Sequence, residues 1–351
     1  MGVVPGCDAG ACRSSPPGSV SVVTQPSTHD AALTTSEPAL PRPATGHQYV
    51  LRRGAATARI GQVAAVLREF SVDGVAYTET WPDAGSAPYA CGIVLMPWPN
   101  RVAGAAWTWQ GTPQQLAITE PEHHNAIHGL LRDIPYQLRE VAEDAVTLEA
   151  SIYPQHGWPF TLDTAVRYAL TDAGLTVTHQ VSNVGAGEAV FGCGAHPYLR
   201  IGDVPVQDLT VTVRARSMFV TDDAMIPVEK RSLPADLAAL PGGIALSGID
   251  LDTGFTDLEP VGGRYESELA APDGRTLTLW ADLDFPYTVV FTPHDFPNDT
   301  SRGPAGVHQA IAIEPMTCPT NALGSGDGLI HLKPGETWSA SWGLTPGGGS
   351  C

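Results

Sequence analysis

The sequence predicts an all-β chain folded as one large antiparallel β-sandwich or barrel, and three observations carry that expectation. The 351 residues include 37 glycines and 31 prolines, a density of turn formers that suits many short strands and leaves little room for long helices. Short runs of β-branched and aromatic residues recur from Gln48 onward, separated by Gly, Pro, Asp and Asn, which is the pattern of strand after strand. No composition shift between residues 48 and 345 marks a linker, so residues 47–351 read as a single domain.

The segment before that domain is different in kind. Residues 1–46 are rich in Ser, Thr, Pro, Ala and Gly, hold no aromatic residue and sustain no period, so they are expected to form a disordered tail. The strands then follow in order. Val63 to Val72 runs into Asp73-Gly74, and Trp107-Thr108-Trp109 runs into Gln110-Gly111, both turn signals between β-runs. Thr161 to Leu170 and Leu175 to Asn183 flank Thr-Asp-Ala-Gly. In the second run Leu175, Val177 and Val181 alternate with Thr176, Thr178 and Gln180, so one face of that hairpin is expected to be buried. Further runs lie at residues 208–215, 275–282, 287–292, 308–313 and 336–343. The one helix-like stretch, Ala235 to Leu240, is expected to make a turn or two.

Charge and cysteine usage narrow the function classes. A formal charge of −18 repels phosphate backbones and anionic lipid surfaces, so neither a nucleic acid nor a membrane is an expected partner. Six cysteines stand at 7, 12, 91, 193, 318 and 351 with no CxxC pair. They read as free thiols of a reducing compartment rather than a zinc site. No stretch approaches the roughly 20 apolar residues that span a bilayer, and the N-terminus lacks a signal-peptide pattern, so a cytoplasmic location is expected.

Several short segments are too polar, or too oddly placed, for plain sheet. Met96-Pro97-Trp98-Pro99-Asn100-Arg101 sets Asn100 and Arg101 on a proline-stiffened corner. The guanidinium offers five fixed donors for neighbouring hydroxyls, or for a structural carboxylate. In His123-His124-Asn125-Ala126-Ile127-His128-Gly129 three imidazoles fall within six residues, but in a turn-rich stretch rather than on a metal-binding helix, so no metal is expected. Gly129 implies a backbone that turns there or is closely approached. Small residues precede His196 in Phe191-Gly192-Cys193-Gly194-Ala195-His196-Pro197-Tyr198. An imidazole can hold a donatable proton at neutral pH, though a satisfied core histidine would look the same in sequence. In Ile311-Ala312-Ile313-Glu314-Pro315 a carboxylate directly follows an apolar strand. Such a group is costly to bury unless partnered or used, and Pro315 is expected to stop the ladder there. Leu251-Asp252-Thr253-Gly254-Phe255 adds a second carboxylate.

In this order, the segments resemble the aldose 1-epimerase (galactose mutarotase) family. The matching pieces are Pro-Trp-Pro-Asn-Arg-Val at 97–102, Asn-Ala-Ile-His-Gly at 125–129, Gly-Ala-His-Pro-Tyr-Leu at 194–199, Leu-Asp-Thr-Gly-Phe-Thr-Asp-Leu at 251–258, Glu-Pro-Met-Thr-Cys-Pro at 314–319 and Leu-Lys-Pro-Gly-Glu at 332–336. The resemblance implies a large antiparallel β-sandwich of the galactose mutarotase-like type. It also implies exchange of the α and β anomers of a free aldose, with Glu314 as general base and His196 as general acid. Arg101, His128 and Asp252 would hold the sugar's hydroxyls and ring oxygen, with Asn100 and Tyr198 completing the substrate-binding set. The expected partner is a small-molecule sugar, neutral or substituted at C6, and the chain would work as a monomer or homodimer without a cofactor. One departure stands out: relatives with this signature commonly carry a Trp soon after the His-Gly pair, where this chain has Arg132-Asp133-Ile134-Pro135-Tyr136. Two other readings use the same residues. One is a non-catalytic carbohydrate-binding module, and the other an inverting glycosidase using Asp252 and Glu314.

Overall fold

The computed structural model describes residues 42–298 and 306–348, and turn chemistry decides where its strands reverse. Asp73 and Gly74 have φ of 51° and 78°, and Val72 lies opposite Val75, as a two-residue hairpin with both central residues left-handed requires. Gln110 and Gly111, at φ 48° and 80°, do the same between Trp109 and Thr112. Leu162–Thr171 and Gly174–Asn183 pair over their full lengths.

These hairpins build two large antiparallel sheets. The nine-stranded sheet runs, in spatial order, Gln137–Val141, Ala145–Ile152, Leu162–Thr171, Gly174–Asn183, Thr337–Gly347, Thr276–Ala281, Tyr265–Ala270, Thr210–Val213 and Ile244–Ala245. In the eight-stranded sheet Pro227–Ser232, Ala215–Thr221, Asp252–Leu258, Tyr287–Phe291, Ile311–Met316, Gly194–Ala195 and Val94–Leu95 follow one another, and Tyr198–Leu199 also pairs with Ile311–Met316. Alternation then decides what is buried. Leu175, Val177 and Val181 are fully buried while Gln180 is exposed. Val177, Val181, Leu279 and Trp342 of the first sheet share one apolar cluster with Phe255, Val290, Ile311 and Ile313 of the second. That shared core is what holds a sandwich together.

Several expectations are corrected. Pro315 does not stop the ladder: it lies inside Ile311–Met316, opposite Thr288. Ile313 and Thr317 donate their N–H groups to the carbonyls of Pro197 and Cys193. Odd positions of this strand therefore turn their donors away from Tyr287–Phe291, and a proline at an odd position leaves that pairing intact. The stretch Ala235 to Leu240 forms turns ending in a 3-10 segment at Leu240–Gly242, while the α-helical turn lies at Ala322–Ser325. Thr45, assigned by sequence to the tail, is buried and accepts a hydrogen bond from Arg68 Nη1 at 3.1 Å. Residues 1–41 lie outside the described residues. Cys91, Cys193 and Cys318 are free and buried; Cys7, Cys12 and Cys351 lie outside the described residues. Among the described residues, no helix is long and apolar enough to cross a membrane.

Candidate active site

The sheet register places the first carboxylates. Asp252 lies opposite Phe291, which lies opposite Ala312, and two residues further along Gly254, Val289 and Glu314 form the next row on the same face. Cross-strand partners share a face. Asp252, Phe291 and Glu314 therefore project to the side away from the core formed by Phe255, Val290 and Ile313. His196 sits between Gly194–Ala195 and Tyr198–Leu199, both paired to the Glu314 strand. Small residues matter in that approach: a Cβ on Gly194 would lie 3.1 Å from the carbonyl of Pro315, and one on Gly192 2.2 Å from Cys318 Sγ.

The other members come from the Pro-Trp-Pro and His-Gly segments, which are stitched together. Arg101 pairs with Ile127, His128 N–H donates to Asn100 O at 3.0 Å, and Asn100 Oδ1 accepts from Arg101 N–H at 2.9 Å. Asn100 and His128 take left-handed backbones, φ 54° and 63°. A Cβ on Gly129 would lie 2.1 Å from Met96 O, so the close approach inferred from the glycine is real.

Six of the seven sequence-nominated residues, namely Asn100, Arg101, His128, His196, Asp252 and Glu314, line one cavity of about 450 Å³. Tyr198 does not. Its ring, 1 % exposed, stacks on the imidazole of His196, with centroids 5.3 Å apart and planes 9° apart. It therefore backs the histidine from outside the cavity lining. A groove of about 550 Å³ beside Arg59 carries charges too, but Arg59 is spent on Glu69 and Asp83.

At the centre of the cavity, His196 Nε2 lies 3.4 Å from Glu314 Oε1. His196 Nδ1, Glu314 Oε2 and His128 Nδ1 are buried without a hydrogen-bond partner. A satisfied core histidine looks different: His179 accepts from Trp342 Nε1 at 3.0 Å. Burial pushes the His196 imidazole down to about 3. It pushes the Glu314 carboxyl well above the ordinary carboxylate range, with the nearby charge of Asp252 acting in the same direction. Asp252 is itself raised by the surrounding protein, and burial lowers His128. Each of these four groups is thus shifted toward its neutral form. The His196–Glu314 pair can hold one shared proton without net charge, an arrangement able to give a proton to one atom while taking one from another.

Sequence reasoning missed part of the lining. Arg101 does pair with a carboxylate, Glu120, whose two oxygens accept from its Nε at 3.0 Å each while Nη2 lies 2.9 Å from Oε1. Glu120 also accepts from Asn125 Nδ2 at 3.1 Å. Tyr89, His123, Arg132 and Phe291 complete much of the wall. Among the described residues, no group of three or more His, Cys, Asp and Glu side chains converges as metal ligands.

Comparison with known proteins gives the family and the fold. The family model for aldose 1-epimerase matches residues 47–345. The chain is 30 % identical to YihR of Escherichia coli (strain K12) over 246 residues, 70 % of this chain and 75 % of that protein. It is 28 % identical to YphB of the same strain over 150 residues, 43 % of this chain and 51 % of that protein. The GalM/aldose epimerase homologue from C. elegans superposes with a TM-score of 0.75 at 16 % identity, over 86 % of this chain and 99 % of that one. A galactose mutarotase-like protein from Clostridium acetobutylicum gives 0.73 at 18 % identity, over 87 % and 96 %. At these identities the solved structures speak for a common fold, the galactose mutarotase-like sandwich. The family match covers every cavity residue named above and all of the two sheets but residues 346 and 347, and the chain belongs to the aldose 1-epimerase family.

Proposed function

We propose that this protein interconverts the α and β anomers of a free aldose, with Glu314 as general base and His196 as general acid. One observation carries the reading: the 3.4 Å approach of His196 Nε2 to Glu314 Oε1 on two residues that line one cavity, each side chain with a further buried atom that lacks a partner. A hemiacetal carries its hydroxyl and its ring oxygen on one carbon. Two groups that exchange protons with those oxygens must therefore stand side by side.

The chemistry balances on these two side chains. Transfer of the shared proton to His196 leaves a carboxylate and an imidazolium with no change in the charge of the pair. Glu314 takes the proton of the C1 hydroxyl, His196 Nε2–H protonates the ring oxygen, the bond from C1 to that oxygen breaks, and C1 becomes a carbonyl. Rotation about the C1–C2 bond and the reverse proton transfers close the other anomer. Each positioned transfer contributes roughly 10²- to 10⁴-fold. Arg101, His128, Asp252 and Asn100 are the groups assigned to the sugar's hydroxyls and ring oxygen. Proton transfer alone completes the cycle, so the reading calls for no cofactor.

Polarimetry of freshly dissolved α-glucose, α-galactose and 6-substituted aldoses tests it. Optical rotation is expected to reach equilibrium faster in proportion to protein added. A rate equal to the spontaneous one for every sugar would withdraw the assignment, and calorimetric binding without acceleration would leave a carbohydrate-binding module.

A further inference from the structure

Tyr89 stands in the cavity wall in a backbone conformation that its own sequence does not favour. Cys91 N–H donates to Pro88 O at 2.8 Å. The two central residues of that turn, Tyr89 and Ala90, have φ of 48° and 57°. Gly or Asn would occupy both places freely, whereas an aromatic residue and an alanine are strained there, and such strain persists where surrounding contacts over-determine it.

Those contacts are specific. The Tyr89 ring lies at 30° to Phe296 with centroids 6.4 Å apart, and edge-on to Phe291 at 6.1 Å and 66°. Asp295 near its hydroxyl, together with burial, holds the phenol up to about 12, so the proton stays on. The ring is held along one side by its packing on Phe291 and Phe296. Even so, 41 % of the residue remains exposed, and Tyr89 and Phe291 both line the cavity that holds Glu314 and His196.

We propose that Tyr89, with Phe291 beside it, is the apolar wall of the sugar site. It takes the C–H face of the pyranose while Arg101, His128, His196 and Glu314 meet the oxygens. The inference rests on the anomer-exchange reading and adds a specificity-determining residue to it. A pyranose has a polar rim and a face made of C–H groups. A site that presents only donors and acceptors leaves that face in water, and a fixed aromatic ring covers it at little conformational cost. The packing on Phe291 and Phe296 means the ring is already in place when sugar arrives.

Kinetics of Tyr89→Ala and Tyr89→Phe against the wild type test the proposal, with thermal unfolding as the control for folding. Tyr89→Ala is expected to raise KM about tenfold while kcat changes much less, the size of effect expected for losing one stacked ring. Tyr89→Phe, which keeps the ring and drops the hydroxyl, is expected to stay within about threefold of wild-type KM. A folded Tyr89→Ala protein with wild-type KM overturns the wall, as does a loss confined to kcat. Should the wild type bind sugars without turning them over, the epimerase reading fails alone. The wall is then judged by whether Tyr89→Ala weakens calorimetric binding about tenfold. A wild type that neither binds nor converts any sugar overturns both.

Discussion

The imidazole of His196 lies flat on the phenol ring of Tyr198, at 5.3 Å and 9°, and the edge of His128 meets it at 5.2 Å. Phe296 in turn backs Tyr198 at 5.0 Å. The ring expected to exchange protons thus has no freedom to rotate away from Glu314.

Tyr198 is expected to act through that stack and not through its hydroxyl, which is buried without a partner. An orphaned buried hydroxyl costs about 1–3 kcal/mol. Tyr198→Phe is therefore expected to leave KM and kcat near wild type and to hold or raise the unfolding temperature. A rise in KM would return Tyr198 to the substrate-binding set. Tyr198→Leu removes the flat surface behind His196, and its expected signature is a fall in kcat with KM little changed.

Replacing Glu314 by Gln keeps the shape and removes the base. The anomerisation rate is expected to fall by about 10²- to 10⁴-fold, and full activity would overturn the assignment. The same change bears on stability. The folded carboxyl is raised above its unfolded value, so the wild type loses stability as pH climbs from the ordinary carboxylate range toward the folded value, at about 1.4 kcal/mol per pH unit. Glu314→Gln lacks that group and is expected to be more stable than wild type at neutral pH. The gain should vanish below about pH 4, where the carboxyl is protonated in both states. Urea melts at the two pH values measure it.

The pH profile follows from the shared proton. Adding a second proton requires charging an imidazole pushed down to about 3, and removing the first requires ionising a carboxyl pushed up by burial. Activity should then be a broad bell, its acid limb near pH 3 and its alkaline limb well above the ordinary carboxylate range. The acid limb is not expected at roughly 6.5, where an ordinary imidazole titrates. An acid limb there in kcat/KM would mean that His196 titrates as a solvent-facing histidine and that the pair is not coupled.

What the sequence could and could not reveal follows from the range of each interaction. Asp73-Gly74 and Gln110-Gly111 announce their hairpins because the turn needs left-handed residues at those two positions. Glu314 stands out because an apolar run rarely ends in an unpaired carboxylate. Pro315 misled because a proline's effect depends on which neighbour its missing donor would have faced, and register is not written locally. The stack of Tyr198 on His196 was hidden for a related reason, because which faces two nearby residues present depends on a register that is not written locally. Glu120 could not be nominated as the partner of Arg101, since a carboxylate 19 residues away carries no periodic signal. Tyr89 was hidden because Pro88-Tyr89-Ala90 gives no hint of positive φ.

The last prediction concerns how His128 is held. Gly129 follows it at φ 80°, and the carbonyl of Met96, 2.1 Å from the place of a Cβ, accepts from the N–H groups of Leu130 and Leu131. Neither side can yield without breaking those bonds or moving the proline corner that carries Asn100 and Arg101. Gly129→Ala therefore adds a steric clash to the cost of a left-handed alanine. Gly54 offers the comparison, with φ of 55° and nothing within 4 Å of its missing Cβ. Gly54→Ala should cost about 1–2 kcal/mol, the left-handed penalty alone, and leave activity unchanged. Gly129→Ala should cost about 1–3 kcal/mol beyond that and raise KM, because the shift passes directly into His128 and Arg101. Equal losses in the two variants would mean that the segment relaxes freely and that Gly129 has no part in positioning the site.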